Sequence, residues 1–180
     1  MKSKKLNNKF FTRPTLLVAR GLIGKIIVHK TSDGEIRGRI IETEAYIGES
    51  DKACHARFGR TKRNEPMFME GGRTYVYLCY GLFDLLNIVT EEADQPAAVL
   101  IRKIEPLSGR DDSLKSYGPG NLTKYLKIDR KYNNFELNGQ DELFILDDGY
   151  RTAEIKTAER VGVKYAGVDA KKKWRFISCP

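Results

Sequence analysis

The sequence predicts an α+β fold. Three observations carry this. Strand-forming runs dominate residues 26–104, helical periodicity is confined to short stretches near residues 13–22 and 122–126, and no strand–helix–strand alternation marks a doubly wound parallel sheet. No Gly/Ser-rich linker, repeat or low-complexity segment divides the 180 residues, a length that suits one hydrophobic core.

The elements follow in order. Residues 1–9 read as a flexible basic arm. Thr12-Arg13-Pro14 reads as a helix start, with Thr12 as N-cap and proline in the first turn, and the helix stops near Gly24. Ile26–His29 and Glu35–Ala45 are strands joined by a hairpin turn at Ser32-Asp33-Gly34. Asp51–Ala56 reads as a short helical turn, and the polar, basic residues 57–73 as a loop. Tyr75–Tyr80 is a strand rich in β-formers, Gly81 permits a tight turn, and Leu85–Thr90 returns. Ala97–Ile104 is a further strand and Pro106–Tyr117 a loop. A helix runs over Leu122–Leu126 with Asn121 as cap. Glu142–Leu146 and Trp174–Ile177 are the last strands, and residues 156–173 carry no clear periodicity.

Composition narrows the function classes. The chain is 41% hydrophobic and 31% charged, ordinary for a soluble globular protein, with no apolar run of membrane-spanning length and no secretory signal pattern. The expected setting is cytoplasmic and reducing: three cysteines (Cys54, Cys79, Cys179) have no paired spacing, and with His29 and His55 they form no metal-ligand pattern. No metal and no cofactor is expected. The net charge is +8, and Lys2, Lys4, Lys5, Lys9, Arg13, Arg20, Lys25 and Lys30 account for all of it. Further basic clusters are Arg57, Arg60, Lys62, Arg63 and Arg73, then Lys171–Lys173 with Arg175. Such a surface either attracts a polyanion through counterion release or serves solubility.

The chemically informative run is Arg39-Ile40-Ile41-Glu42-Thr43-Glu44-Ala45-Tyr46. Strand parity places Ile40, Glu42, Glu44 and Tyr46 on one face. Carboxylates in an apolar strand are costly unless paired or used, and an acid beside an aromatic ring is a general-base candidate. Tyr75 and Tyr77 share one face of their strand. Tyr80 precedes Gly81 at a hairpin tip, where a large ring has little core to enter and can fill the gap left by an extruded base. Asn87, within an apolar strand, is either a satisfied core asparagine or a reader of a bound base edge. Arg102 pairs either with a carboxylate, Glu42 or Glu44, or with a phosphate. His55 is either structural or in contact with a ligand near Glu44 and Tyr46. Nucleophile-elbow, P-loop and dinucleotide-binding motifs are absent.

These segments resemble the alkyladenine (3-methyladenine) DNA glycosylases of the mammalian type. The resemblance rests on Gly38–Tyr46, Lys62-Arg63-Asn64 with Met67-Phe68-Met69, Tyr75–Gly81, Val99–Arg102, Gly118-Pro119-Gly120 with Leu122, and Arg160–Val163 with Ala166-Gly167. It covers about residues 10–177. It implies one glycosylase domain over residues 10–180: a curved, mostly antiparallel sheet with surrounding helices and a protruding, DNA-inserting β-hairpin. It implies a monomeric, membrane-independent, monofunctional enzyme acting on double-stranded DNA that contains a damaged purine, in the cytoplasm and at the nucleoid if bacterial. Residue by residue, it implies that Glu44 activates the attacking water and that Arg102 lies near that water. Tyr46 and His55 then sandwich the flipped base with Tyr77 opposite, Asn87 restricts the pocket against guanine, and Tyr80 intercalates. Phe83 stands where relatives often carry tyrosine, and Asn121 where some carry a basic residue.

Overall fold

A computed structural model describes residues 3–107 and 117–179. The expected loop over residues 106–117 lies mostly outside them. Among the described residues nine strands join in one sheet, and every pairing is antiparallel. The strands are β1 (Lys4–Lys5), β2 (Ile26–Thr31), β3 (Gly34–Ile47), β4 (Thr74–Cys79), β5 (Phe83–Val89), β6 (Ala97–Pro106), β7 (Leu143–Asp147), β8 (Glu154–Ala158) and β9 (Arg175–Cys179). Their spatial order is β1-β7-β2-β3-β6-β5-β4, with β9 also beside β3 and β8 beside β9. With helices α1 (Asn8–Phe11), α2 (Thr15–Leu22) and α3 (Pro119–Leu126), the fold is α+β.

The main core lies where α2 packs on β3 and β6, and α3 on β3, β5 and β6. Val18 and Leu22 from α2 and Leu122 and Leu126 from α3 meet Ile40, Val99, Ile101 and Ile104 of the sheet, all fully buried. Burying such a side chain contributes about 1.5–3 kcal/mol each. A smaller cluster of Cys54, Met67, Phe68, Tyr75 and Ala98 forms a separate core, with Tyr46 and Tyr77 packed against it.

Strand parity in β3 does not run through. Ile40 pairs with Ile104, Glu42 with Lys103 and Thr43 with Ile101, so Ile41 on β3 and Arg102 on β6 are skipped in the ladder. The irregularity inverts both strands together. Ile40 belongs to the main core, and beyond the bulge so do Ala45, Ile101 and the side of Thr43, whose hydroxyl donates to the Ala19 carbonyl at 2.9 Å. Ile40 therefore does not share a face with Glu42, Glu44 and Tyr46, because an inserted residue flips everything after it. The bulge is also where β3 changes neighbours. Residues 34–39 pair with β2, and Glu42–Glu44 pair with β9.

Other boundaries differ for local reasons. Thr12 closes α1, its hydroxyl and N–H both bonding the Asn8 carbonyl. Pro14 precedes α2, whose Thr15 N–H donates to the Glu91 carboxylate at 2.5 Å. Gly118 is the N-cap of α3 and Asn121 lies inside its first turn, since proline at N1 starts the helix earlier. The N-terminal residues are not a free arm from Lys4 onward: Lys4 and Lys5 pair with Asp147 and Leu146, and the Lys5 ammonium sits 4.2 Å from the Phe144 ring centroid. Among the described residues, no helix is long and apolar enough to cross a membrane.

Candidate active site

Beyond the bulge, β3 and β6 deliver Tyr46 and Arg102 to the wall of a cleft of about 720 Å³, with Glu44 directly behind them. Glu44 is fully buried. Its Oε1 accepts the Val161 backbone N–H at 2.8 Å and lies 3.3 Å from Arg102 Nε, while its Oε2 accepts the Tyr46 hydroxyl at 2.8 Å. Burial raises the Glu44 pKa above its ordinary 4.5. The Arg102 charge, the Val161 N–H and the Tyr46 hydroxyl oppose that rise, and the Glu42 charge adds to it. The result is a buried carboxylate with two hydrogen-bond donors and one ion-pair partner, the environment in which a carboxyl's pKa is shifted. Glu42 is the more exposed of the two acids and pairs with Arg102 at 3.5 Å and Arg175 at 3.3 Å.

The aromatic walls come from three elements. Tyr46 is from β3, Tyr75 and Tyr77 are from β4, and His55 opens a single 3₁₀ turn, His55–Phe58. His55 and Tyr77 are in edge-to-face contact, centroids 4.6 Å apart, which leaves no room for a third ring between them. His55 Nδ1 shares a 2.9 Å hydrogen bond with the Tyr75 hydroxyl. Burial, reinforced by the Arg63 and Arg57 charges, lowers the His55 pKa to about 4, so the ring is neutral at pH 7. Burial also pushes Tyr75 up to about 12. Asn64 ties the His55 loop together, its amide donating to the His55 and Gly59 carbonyls at 3.1 and 2.9 Å.

Asn87 lies between β4 and β6, opposite Tyr75 and Leu100, and lines the cleft. Its amide nitrogen donates to the Tyr75 carbonyl at 3.0 Å, so it is a satisfied asparagine that also faces the cavity. Tyr80 sits at the β4–β5 turn. Leu82 N–H donates to the Cys79 carbonyl at 3.0 Å, and the two central residues have positive φ, Tyr80 at 49° and Gly81 at 71°, the pattern of a type I′ turn. A tyrosine in this left-handed region is uncommon and strained, and here its ring is 91% exposed. Phe83 turns toward α3, where a Cβ on Gly120 would come within 2.5 Å of its ring, so only glycine fits there.

Seven residues singled out from the sequence, Glu44, Arg102, Tyr46, His55, Tyr77, Asn87 and Tyr80, thus meet around one cavity. All but the buried Glu44 itself are in its lining. Sequence reading missed the residues that hold them. Arg160 is fully buried and bonds both Asp51 oxygens at 2.6 and 2.8 Å and the Ala45 carbonyl at 2.9 Å. Its guanidinium carbon lies 4.8 Å from the Tyr46 centroid and 5.1 Å from that of Trp174. One side chain therefore joins the end of β3, the loop leading to His55 and the segment carrying Val161. Arg160-Val161-Gly162-Val163 was visible as a motif, but a motif alone assigns no such role.

A buried carboxylate thus lies behind a cleft walled by edge-to-face and tilted aromatic rings, with Arg63 and Arg102 in its lining. Residues 9–179 match the family model of the methylpurine-DNA glycosylases (MPG). Three relatives share the name "Putative 3-methyladenine DNA glycosylase". That of Methanocella arvoryzae is 46% identical over 182 residues, covering 95% of this chain and 90% of the relative. That of Chlorobium phaeobacteroides is 43% identical over 171 residues, covering 89% and 86%. That of Borrelia garinii subsp. bavariensis is 42% identical over 176 residues, covering 95% and 94%. The chain belongs to the methylpurine-DNA glycosylase family, DNA-repair enzymes that hydrolyse N-glycosidic bonds.

Proposed function

We propose that this enzyme excises alkylated or deaminated purines from double-stranded DNA, 3-methyladenine and 7-methylguanine as cationic substrates and hypoxanthine and ethenoadenine as neutral ones. The damaged nucleotide is extruded into the cleft, and a water activated by Glu44 replaces the base, leaving an abasic site. The observation that carries this reading is Glu44: fully buried, oriented by the Val161 N–H and the Tyr46 hydroxyl, and ion-paired with Arg102 beside the cleft's aromatic wall.

The chemistry follows from the substrate's charge. A cationic N-alkylated purine leaves as a neutral base, so its departure needs no proton from the enzyme, whereas hypoxanthine or ethenoadenine leaves as an anion that takes its proton from water. As the C1′–N bond breaks, the bonding pair goes to the base and positive charge builds at C1′. Glu44 stabilises that charge and takes the proton of the water whose oxygen bonds C1′. A second carboxylic acid, as in ordinary glycosidases, is unnecessary. Arg102, within reach of both carboxylates, keeps Glu44 ionised and aligned. The base lies between Tyr46 and the His55–Tyr77 pair. A neutral His55 adds no repulsion against a cationic base, and electron-rich rings attract it by up to about 2 kcal/mol. Asn87 limits what the cavity admits on one side. Tyr80 fills the gap in the duplex, and its stacking, about 1–3 kcal/mol, offsets part of the extrusion cost.

The test is single-turnover excision from duplexes carrying one 7-methylguanine, hypoxanthine or ethenoadenine, with alkaline cleavage of the product. Glu44→Gln should lose about 10²–10⁴-fold in rate while still binding DNA. Absence of cleavage with every lesion would sink the reading, and full activity in Glu44→Gln would remove Glu44 from the role of base.

A further inference from the structure

Beside the mouth of the cleft lies a surface that the excision chemistry does not use. Arg57 and Phe58 follow His55 in the same 3₁₀ turn, and Phe58 is 81% exposed. Across from them Tyr165, 62% exposed, lines the cleft mouth. The Arg57 guanidinium carbon lies 4.5 Å from the Phe58 ring centroid and 5.1 Å from the Tyr165 centroid. An Arg57 N–H donates to the Lys52 carbonyl at 2.9 Å, and the Tyr165 hydroxyl reaches the Ala53 carbonyl at 3.5 Å. Arg57 and Tyr165 are thus tethered to the backbone, the Arg57 guanidinium lies over both rings, and both rings remain largely open to water.

Isolated exposed apolar residues are ordinary, but two large rings joined through a tethered cation are a preformed stacking surface. Its charge fits a polyanion, and its Tyr165 end is continuous with the cavity. Phosphate contact alone would be met by Arg57 and would have no use for the rings. Bases in a duplex are stacked on one another and offer no free face, whereas an unpaired strand does. Resting on the excision reading above, we infer that Arg57, Phe58 and Tyr165 form a second nucleobase platform, which stacks an unpaired base of a single DNA strand passing the cleft.

The experiment is fluorescence anisotropy with a labelled oligothymidylate of about 12 nucleotides, within the span one compact binding surface covers. The paired substitution Phe58→Ala with Tyr165→Ala should weaken binding about tenfold or more, and tryptophan at both positions should restore it. The deficit should persist at about 0.5 M salt, where phosphate contacts fade and stacking does not. Leu17→Ala, at an exposed apolar residue of α2, should stay within about twofold of wild type, and unchanged melting would show that the variants fold. Three results would overturn the platform: no oligothymidylate binding by the wild type, binding by the alanine pair within about twofold of wild type, or a deficit that vanishes in salt. The probe carries no lesion, so this outcome is independent of the excision assay, whose failure would strike the catalytic reading alone.

Discussion

The Tyr46 hydroxyl donates a 2.8 Å hydrogen bond to Glu44 Oε2, two residues away on the same face of the same strand. The tyrosine therefore serves the cleft with its ring and the carboxylate with its oxygen. A hydrogen bond to a charged group contributes about 1.5–3 kcal/mol. In the proposed role Glu44 is a base only when ionised, so the acid limb of the rate–pH profile should lie above 4.5, the direction that burial drives it. Tyr46→Phe keeps the ring and removes a donor to the ionised form. It should move the acid limb to higher pH and cost more rate at pH 5 than at pH 8, measured by single-turnover excision. A uniform loss across pH would mean the hydroxyl does not act through Glu44.

Tyr80 occupies a backbone conformation that asparagine or glycine adopts more readily. Tyr80→Asn should stabilise the turn by about 1 kcal/mol, raising the melting temperature by roughly 2–4 °C. The same change should lower excision about tenfold or more, because the stacking ring is lost. A variant that is both more stable and slower would identify strain retained for function, while lower stability would contradict the strain argument.

His55 makes the protein's stability depend on acid. Its folded pKa of about 4 lies below the ordinary 6.5, so between these values the unfolded chain binds more protons. The contribution is present in full above pH 6.5 and is lost as pH falls toward 4. Melting temperatures of wild type and His55→Gln, followed from pH 7.5 to about 4, should converge in acid, since glutamine carries no proton to gain. Parallel curves would show that His55 is not the group responsible.

The Arg160–Asp51 pair is fully buried on both sides. Removing one partner strands the other, which costs about 3–5 kcal/mol. Arg160→Leu and Asp51→Leu should each destabilise by that order in denaturant titrations. The double substitution should cost less than the sum, with a coupling of up to about 3 kcal/mol. Strict additivity would show that the two side chains work independently.

Much of this architecture was readable from residue pattern, and the exceptions have definite causes. β-branched and aromatic runs located β2 through β6, because these strands bury at least one face and must show it in composition. The one-residue bulge escaped, since Ile40-Ile41 reads as uninterrupted strand. It shows only in the ladder, where Ile41 and Arg102 are skipped. Glu44 and Tyr46 were recognisable because carboxylate and ring sit in an apolar strand. Arg160 and Asp51 were not, because 109 positions separate them and no local pattern announces their contact. The candidate site residues carry local signals, while those that hold them in place depend on folding across the chain. Residues 156–173 illustrate this: they lack periodicity, yet they supply the Val161 N–H that holds Glu44.

The skipped residue in β3 has a consequence for how tolerant this strand can be. One continuous segment works as packing material before Ile41 and as chemical equipment after it, and the boundary is counted in single residues. A deletion of Ile41 would turn the acids inward toward Val18 and Leu22 and send Thr43 and Ala45 to the cavity. Side chains here can be exchanged and repacked, but length cannot drift, because an indel acts like a frameshift written in three dimensions.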